Sequence, residues 1–296
     1  MKQITVLSGK GGVGKSSIAA SLAVLLSKNH KIICVDCDVD ASNLALVFGI
    51  TENKFEEWKP ISTNEKAFVS EDKCTGCKKC LDSCYFNAIS WNNEKNIPEF
   101  DRFSCEGCGT CGIICPENAI SLKNVNNAKI GFADTNFNFK VVSAQLEMGE
   151  SGSGKVVAEV KQLAKEKSED SEFMIVDSAA GIGCPVIASV SGSDYVIAVT
   201  EPTPSGLADL ERALQLVSHF NIPAGIIINK FDLNNEFSEK IEEFAEKNNF
   251  KILSKIPYDR SFVKALVNLK PVILQNPELE KYFLEIAEKT KTMLKT

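Results

Sequence analysis

The chain has 296 residues, 44% of them hydrophobic, with 33 Lys and Arg against 39 Asp and Glu for a net charge of −6. That apolar content excludes intrinsic disorder, the acidic balance and scattered lysines argue against a nucleic-acid-binding face, and no apolar run approaches the roughly 20 residues that span a bilayer. The start, Met1-Lys2-Gln3-Ile4-Thr5-Val6-Leu7, runs straight into a strand pattern without a charged leader, so a cytoplasmic chain is expected, whose 11 cysteines form no disulfide framework.

In chain order, the first predicted strand covers 3–8 and the first helix 16–28. Between them Gly9-Lys10-Gly11-Gly12-Val13-Gly14-Lys15-Ser16 fits G-x-x-x-x-G-K-[ST], with Ser17 next in the helix. Strand, glycine-rich turn and helix are the context in which this motif cradles phosphates. The glycines let backbone N–H groups approach phosphate oxygens, and the helix N-terminus adds partial positive charge. Lys15 is expected on the β and γ phosphates and Ser16 on Mg²⁺. A second strand, 31–36, ends in Asp36-Cys37-Asp38-Val39-Asp40. Cys34 and Cys37 stand three apart on a strand and so point to opposite faces; Cys34 reads as a core residue and Cys37 as a small filler.

Eight cysteines fall between Cys74 and Cys115, and residues 74–90 match 105–121 at 9 of 17 positions, a repeat with an offset of 31. Polar, Asn-rich stretches flank it. Residues 66–123 therefore read as a compact module inserted between two parts of one larger domain, 1–65 and 124–296. The runs Cys74-x₂-Cys77-x₂-Cys80-x₃-Cys84 and Cys105-x₂-Cys108-x₂-Cys111-x₃-Cys115-Pro116 fit a zinc ribbon poorly, because four evenly spaced cysteines recur twice. They resemble the runs of bacterial two-cluster ferredoxins, small α+β modules in which the fourth cysteine of each run ligates the other cluster. That resemblance implies one [4Fe–4S] cluster on Cys74, Cys77, Cys80 and Cys115, and a second on Cys105, Cys108, Cys111 and Cys84. Tyr85 replaces the usual proline after Cys84.

Further strands are predicted at 140–144, 173–177, 194–200, 224–229 and 252–256, and helices at 156–167, 206–219 and 236–248. Runs such as Tyr195-Val196-Ile197-Ala198-Val199 are apolar throughout, as strands covered on both faces must be. Strands alternating with helices imply an α/β fold, a mostly parallel sheet flanked by helices. Gly149-Glu150-Ser151-Gly152-Ser153-Gly154-Lys155 imitates a second phosphate loop, but Val156 stands where Ser or Thr would bind Mg²⁺, and the segment reads as a flexible loop before a helix. Asp177-Ser178-Ala179-Ala180-Gly181 closes one strand and Asn229-Lys230-Phe231-Asp232 another. The latter also fits the N-K-x-D guanine motif, with Asp232 an acceptor for the ring, which leaves GTP open beside ATP. In the C-terminal helical stretch 279–294, Leu279, Phe283, Ile286 and Ala287 share one side, which is ordinary for a helix packed on its own domain.

Lys10, the second lysine of the phosphate loop, narrows the reading. The loop resembles the deviant Walker A motif of the MinD, ParA, Mrp and nitrogenase-iron-protein class of P-loop ATPases, and the resemblance covers nearly the whole chain. It implies an ATP-sandwiched homodimer in which Lys10 reaches the nucleotide of the partner subunit. It further implies a switch I at 36–40, where Asp38 lies at the Mg²⁺ and orients the attacking water. Asp177 would hold Mg²⁺ from a Walker B or switch II segment, where Ala179 and Ala180 replace commoner prolines. Asn229 would contact adenine, with Pro257, Tyr258 and Asp259 on the other wall. In the nitrogenase iron protein a cluster ligand follows switch II at about the distance of Cys184; with no counterpart for that protein's second ligand, Cys184 reads as a packed thiol near the dimer interface. The implied function is an ATP-hydrolysing iron–sulfur protein that couples nucleotide-driven dimerisation to electron transfer or metallocluster maturation, with a redox or cluster-recipient protein as partner. The alternative is a localisation or partitioning ATPase whose clusters sense redox state or are structural.

Overall fold

A computed structural model describes residues 1–168 and 170–295. The chain opens with β1 (Lys2–Ser8), α1 (Lys15–Ser27), β2 (Ile32–Cys37) and α2 (Leu44–Val47). It continues through β3 (Lys59–Ile61), β4 (Asn64–Val69), α3 (Lys79–Ser83), β5 (Ile89–Asn92), β6 (Ile97–Phe100), α4 (Thr110–Ile113) and β7 (Ile120–Val125). After β8 (Ala128–Asp134) and β9 (Lys140–Leu146) come α5 (Ser153–Lys167), β10 (Phe173–Ala180), α6 (Cys184–Val190), β11 (Tyr195–Thr200) and α7 (Pro204–His219). The chain closes with β12 (Ala224–Asn229), α8 (Asn235–Lys247), β13 (Lys251–Ile256), α9 (Ser261–Val267), α10 (Val272–Gln275) and α11 (Glu280–Lys295).

The chain divides into two compact units. The first comprises Met1–Lys59, Ile130–Gln145 and the chain from Ser153 onward; the second comprises Pro60–Lys129 with Leu146–Gly152. The second unit is thus wider than the span of the cysteine repeat, because a short segment beyond β9 folds back into it.

The large sheet has the order β13-β12-β11-β1-β10-β2-β9-β8-β3, and its pairs from β13 through β9 are parallel. Alternation along β11 sends its side chains to two apolar layers. Tyr195, Ile197 and Val199 cluster with Ile18 and Leu22 of α1 and with Phe283 and Ile286 of α11. Val196 and Ala198 cluster with Leu210 and Leu214 of α7 and with Ile241 of α8. A strand covered on both faces has no polar positions to spare, which is why these runs are apolar throughout. The stripe along α11 and the residue before it is spent in the same way: Leu279, Phe283, Ile286 and Ala287 are all buried. Among the described residues no helix is long and apolar enough to cross a membrane.

Register brings the chemistry together. Asp177 of β10 lies opposite Val6 of β1 on one side and Asp36 of β2 on the other, while Ser8 at the end of β1 lies opposite Ala180. The carboxyl ends of three adjacent strands therefore carry the phosphate loop and two aspartates, the position at which open α/β sheets bind ligands.

In the second unit β4 pairs antiparallel with β7, and β5 with β6. The offset of 31 seen in the sequence recurs in the backbone. Positive φ occurs at Gly76 and Gly107 (71° and 65°), at Lys78 and Gly109 (61° and 77°), and at Asn87 and Asn118 (51° and 48°). The repeat is a repeat of conformation as well as of residue type.

Candidate functional site

The phosphate loop leaves β1 and enters α1 through two glycines with positive φ, Gly12 at 81° and Gly14 at 94°. A Cβ on Gly9 would stand 2.3 Å from the Asp209 carbonyl oxygen, so glycine there permits the close approach of α7. The first N–H groups of α1 have no partner within the helix and are available to an anion. The loop lines a cavity of about 500 Å³ together with Lys15, Ser16, Ser17 and Asp38, and its apolar side is formed by Leu46, Val47, Leu266 and Leu269. That volume suits a small-molecule ligand.

Lys15 Nζ lies 2.6 Å from Asp177 Oδ1, with the two side chains only 7% and 1% exposed. Burial works against the ammonium, but Asp177, aided by Asp38 and Asp36, outweighs it and holds Lys15 above its ordinary pKa. The other carboxylate oxygen, Asp177 Oδ2, is buried without a hydrogen-bond partner among the described residues. A buried unsatisfied carboxylate oxygen beside a serine hydroxyl and a phosphate-binding loop is a donor set suited to a hard cation such as Mg²⁺. Asp38 is half-buried in the same cavity, and burial raises its pKa while Lys15 opposes the rise.

Asp36, without an assigned role in the sequence reading, wires the loop after β2. Its Oδ1 accepts from Asp38 N at 3.1 Å, and its Oδ2 accepts from Ser42 Oγ at 2.8 Å and Leu44 N at 2.9 Å. Burial, and next the Asp177 charge, push its carboxyl up to about 7. Its folded pKa thus lies above its unfolded value near 4, so the native state holds a proton that the unfolded chain has released. Stability from this group falls as pH rises from about 4 to about 7. Thermal melts of the nucleotide-free chain across that window should show the fall, and Asp36→Asn should flatten it; an equal slope in both proteins would sink this assignment.

Lys10 does not project freely. Its Nζ lies 2.8 Å from Glu201 Oε1 and donates to Ser205 Oγ at 3.1 Å. Lys230 Nζ takes the other oxygen, Glu201 Oε2, at 2.8 Å and donates to Gly12 O at 3.2 Å. Burial works against the Glu201 carboxylate, but the hydrogen bonds from Lys10 and Lys230 outweigh it and hold the carboxyl below its usual range. Sequence reasoning missed Glu201, since it sits in no motif.

The residues expected at the base are occupied differently. Asn229 is 2% exposed; its Nδ2 donates to Val13 O at 2.7 Å and its Oδ1 accepts from Lys230 N at 3.0 Å, so it clamps the phosphate loop from behind. Asp259 anchors the turn into α9, accepting from Ser261 N at 2.6 Å and from Asn276 Nδ2 at 2.9 Å. Neither Asn229, Pro257 nor Asp259 lines the cavity described above. Asp232 is exposed, and its Oδ1 accepts from Tyr258 N at 2.6 Å.

In the single chain Cys184 is exposed at the start of α6. One expectation is corrected. The segment from Gly149 to Lys155 is not a loose loop. Its Glu150 carboxylate is buried at 1% exposure against Lys66 and Arg102, Ser151 O accepts from Asn64 and Asn127, and Ser153 already begins α5. Cys34 and Cys37 are both buried, as read.

Among the described residues no three His, Cys, Asp or Glu side chains converge closely enough to hold a single metal ion. The eight repeat cysteines instead line two cavities. Cys74, Cys77, Cys80 and Cys115 line one; Cys84, Cys105, Cys108 and Cys111 line the other. Each takes three cysteines from one run and the fourth from the other. A cubane cluster spreads four thiolates across its corners, more widely than one ion's coordination sphere, so this donor set fits a [4Fe–4S] group. Matching N–H···S bonds recur across the repeat: Ala88 N donates to Cys84 Sγ and Ala119 N to Cys115 Sγ, both at 3.3 Å. Burial pushes the Cys111 thiol up to about 11, with Cys105 and Cys108 adding to the rise.

The profile of CbiA, the CobQ/CobB/MinD/ParA nucleotide binding domain, matches residues 4–272. The chain is 36% identical to an uncharacterized protein of Methanocaldococcus jannaschii, over 99% of this chain and 97% of that one. It is 25% identical to the iron-sulfur cluster carrier protein of Pyrococcus abyssi, over 99% of this chain and 86% of that one. In fold it is similar to the septum site-determining protein MinD of Pyrococcus horikoshii OT3, solved with Mg-ADP, with a TM-score of 0.59 and 19% identity across 98% of this chain and 95% of that one. With the phosphate loop, the facing aspartates and the parallel sheet in place, the chain belongs to the CbiA family of CobQ/CobB/MinD/ParA nucleotide-binding domains.

Proposed function

We propose that this protein is a Mg²⁺-dependent ATPase that carries two [4Fe–4S] clusters in an inserted ferredoxin-type module, and that it couples nucleotide-driven dimerisation to electron delivery or metallocluster maturation. The observation that carries the reading is the crossed sorting of eight cysteines into two cavities, in one chain with a phosphate loop. The likeness to an iron-sulfur cluster carrier protein is consistent with it.

In this reading Lys15 exchanges Asp177 for the β and γ phosphates, and the backbone N–H groups of 9–15 hold the phosphate oxygens. Ser16 and Asp177, with Asp38 close by, would hold Mg²⁺, which supplies charge neutralisation to the phosphates. Asp38, half-exposed in the cavity, orients the attacking water. Lys10 leaves Glu201 to reach the nucleotide of a second copy. ATP is favoured over GTP because the phosphate loop, with its second lysine Lys10, resembles the deviant Walker A motif of ATPases. Asn229 supports the base side indirectly, by holding Val13.

Anaerobic isolation tests this most directly. About eight irons per chain, no stoichiometric zinc and ATP hydrolysis are expected; a zinc-loaded, iron-free protein would end the cluster reading. Asp38→Ala should retain ATP binding while slowing hydrolysis roughly a hundredfold or more, since a positioned water is lost. Turnover at the wild-type rate would remove Asp38 from the mechanism. Lys10→Ala should bind ATP as a monomer yet fail to dimerise with it in light scattering, and unaltered dimerisation would refute the sandwich arrangement.

A further inference from the structure

The two cysteine cavities are built from equivalent positions but are not electrically equivalent. Thirty-one residues separate the cysteines of one from those of the other, and the same shift relates Trp91 to Leu122 and Ala67 to Pro98 among the residues that line them. The symmetry fails at one buried position. Lys66 on β4 has Ile97 on β6 as its counterpart.

Lys66 is 3% exposed, and its Nζ donates to the carbonyl of the cavity-lining Cys105 at 2.6 Å. Its counter-charge is Glu150, whose Oε2 lies 3.6 Å away, but Glu150 also receives Arg102 Nε on Oε1 at 2.6 Å. Two cations share this one buried carboxylate, and the other anions nearby, Asp101 and the cavity-lining Glu106, are exposed and screened by solvent, so Lys66 stands as the buried cation behind the second cavity. The first cavity has lysines of its own, Lys78 and Lys79, but both are exposed and their fields are screened by solvent. A buried charge close to a cluster outweighs exposed ones at similar range, because little water lies between. A second asymmetry acts in the same sense: the Thr110 hydroxyl lies 3.4 Å from Cys108 Sγ, while Lys79 holds the matching position in the first run.

We propose that Lys66 decides where an electron rests in this module, favouring the cluster held by Cys84, Cys105, Cys108 and Cys111 over the one held by Cys74, Cys77, Cys80 and Cys115. This rests on the cluster reading above. Added negative charge on a cluster is stabilised by a nearby buried cation and by hydrogen bonds to its sulfurs, which raises its potential. The step is a single electron from a low-potential one-electron donor, which is oxidised as one cluster is reduced from the 2+ to the 1+ state. No bond is made or broken and no proton is required.

The test is a dithionite titration of the anaerobic protein followed by electron paramagnetic resonance. Two separate reduction steps are expected, the earlier one carrying the spectrum that Cys108→Ser alters. Lys66→Met should lower that step alone, Lys66→Arg should restore it, and Glu150→Gln should raise it. Opposite shifts from the two partners of one ion pair are not what damage to the fold produces, and iron content of each variant shows whether both clusters are retained. Two clusters titrating together in the wild type, or a Lys66→Met shift in the first-run cluster instead, overturns the proposal. A chain that binds no iron overturns the proposed function itself.

Discussion

Replacing Lys15 with alanine is expected to abolish nucleotide binding and to weaken the fold at the same time. The ammonium is the buried cation that faces Asp177 at 2.6 Å, with Asp36 paired beside Asp177 on the neighbouring strand. Without it the carboxylates face each other unneutralised, and breaking one side of a buried pair costs about 3–5 kcal/mol. Protonation relieves the repulsion, so the loss of stability should be larger at pH 8 than at pH 5. Calorimetric titration with Mg–ATP and melts at the two pH values measure both effects. Binding within a few-fold of wild type would show that the phosphate contact lies elsewhere.

Cys115→Ser should remove one cluster and leave the other. Cys115 belongs to the second run, yet it lines the cavity of Cys74, Cys77 and Cys80. Iron should fall to about four per chain, and the surviving spectrum should be that of the cluster on Cys105, Cys108 and Cys111. Cys84→Ser should produce the complementary protein. The decisive outcome is which spectrum survives: if Cys115→Ser keeps the first-run cluster and loses the second, the runs do not cross.

What could be read without coordinates follows from how far apart the interacting residues lie. The strand with Tyr195 to Val199 was legible because burial on both faces leaves its mark on every residue. The phosphate loop was legible because glycine spacing and helix onset are local. The cysteine runs combine local spacing with repetition, which made their resemblance to two-cluster ferredoxin runs legible, and it is that resemblance which implied the sorting into two cavities. The tether of Lys10 to Glu201 was not, since it joins residues more than 190 positions apart through a segment with no motif. Glu150 was misread for a related reason. A Gly-Ser-rich stretch carries the composition of a loose loop, and only the arrival of Lys66 and Arg102 from distant positions turns it into a packed one. Asn229 lay where expected, at the end of β12, but its amide is directed by Val13 O.

The pairing of Lys15 with Asp177, and of Lys10 and Lys230 with Glu201, gives the resting site an almost self-neutralised interior. A polyphosphate entering it competes with Asp177 for Lys15, and capture of that lysine leaves an anion behind. For Asp177 that anion is released at the moment a divalent cation would need it, so nucleotide and metal should draw each other in, each tightening the other's hold by the same factor. Discrimination against short or lone phosphates then needs no dedicated contact. An anion too small to replace the carboxylate, or one arriving without its metal, returns less than it displaces.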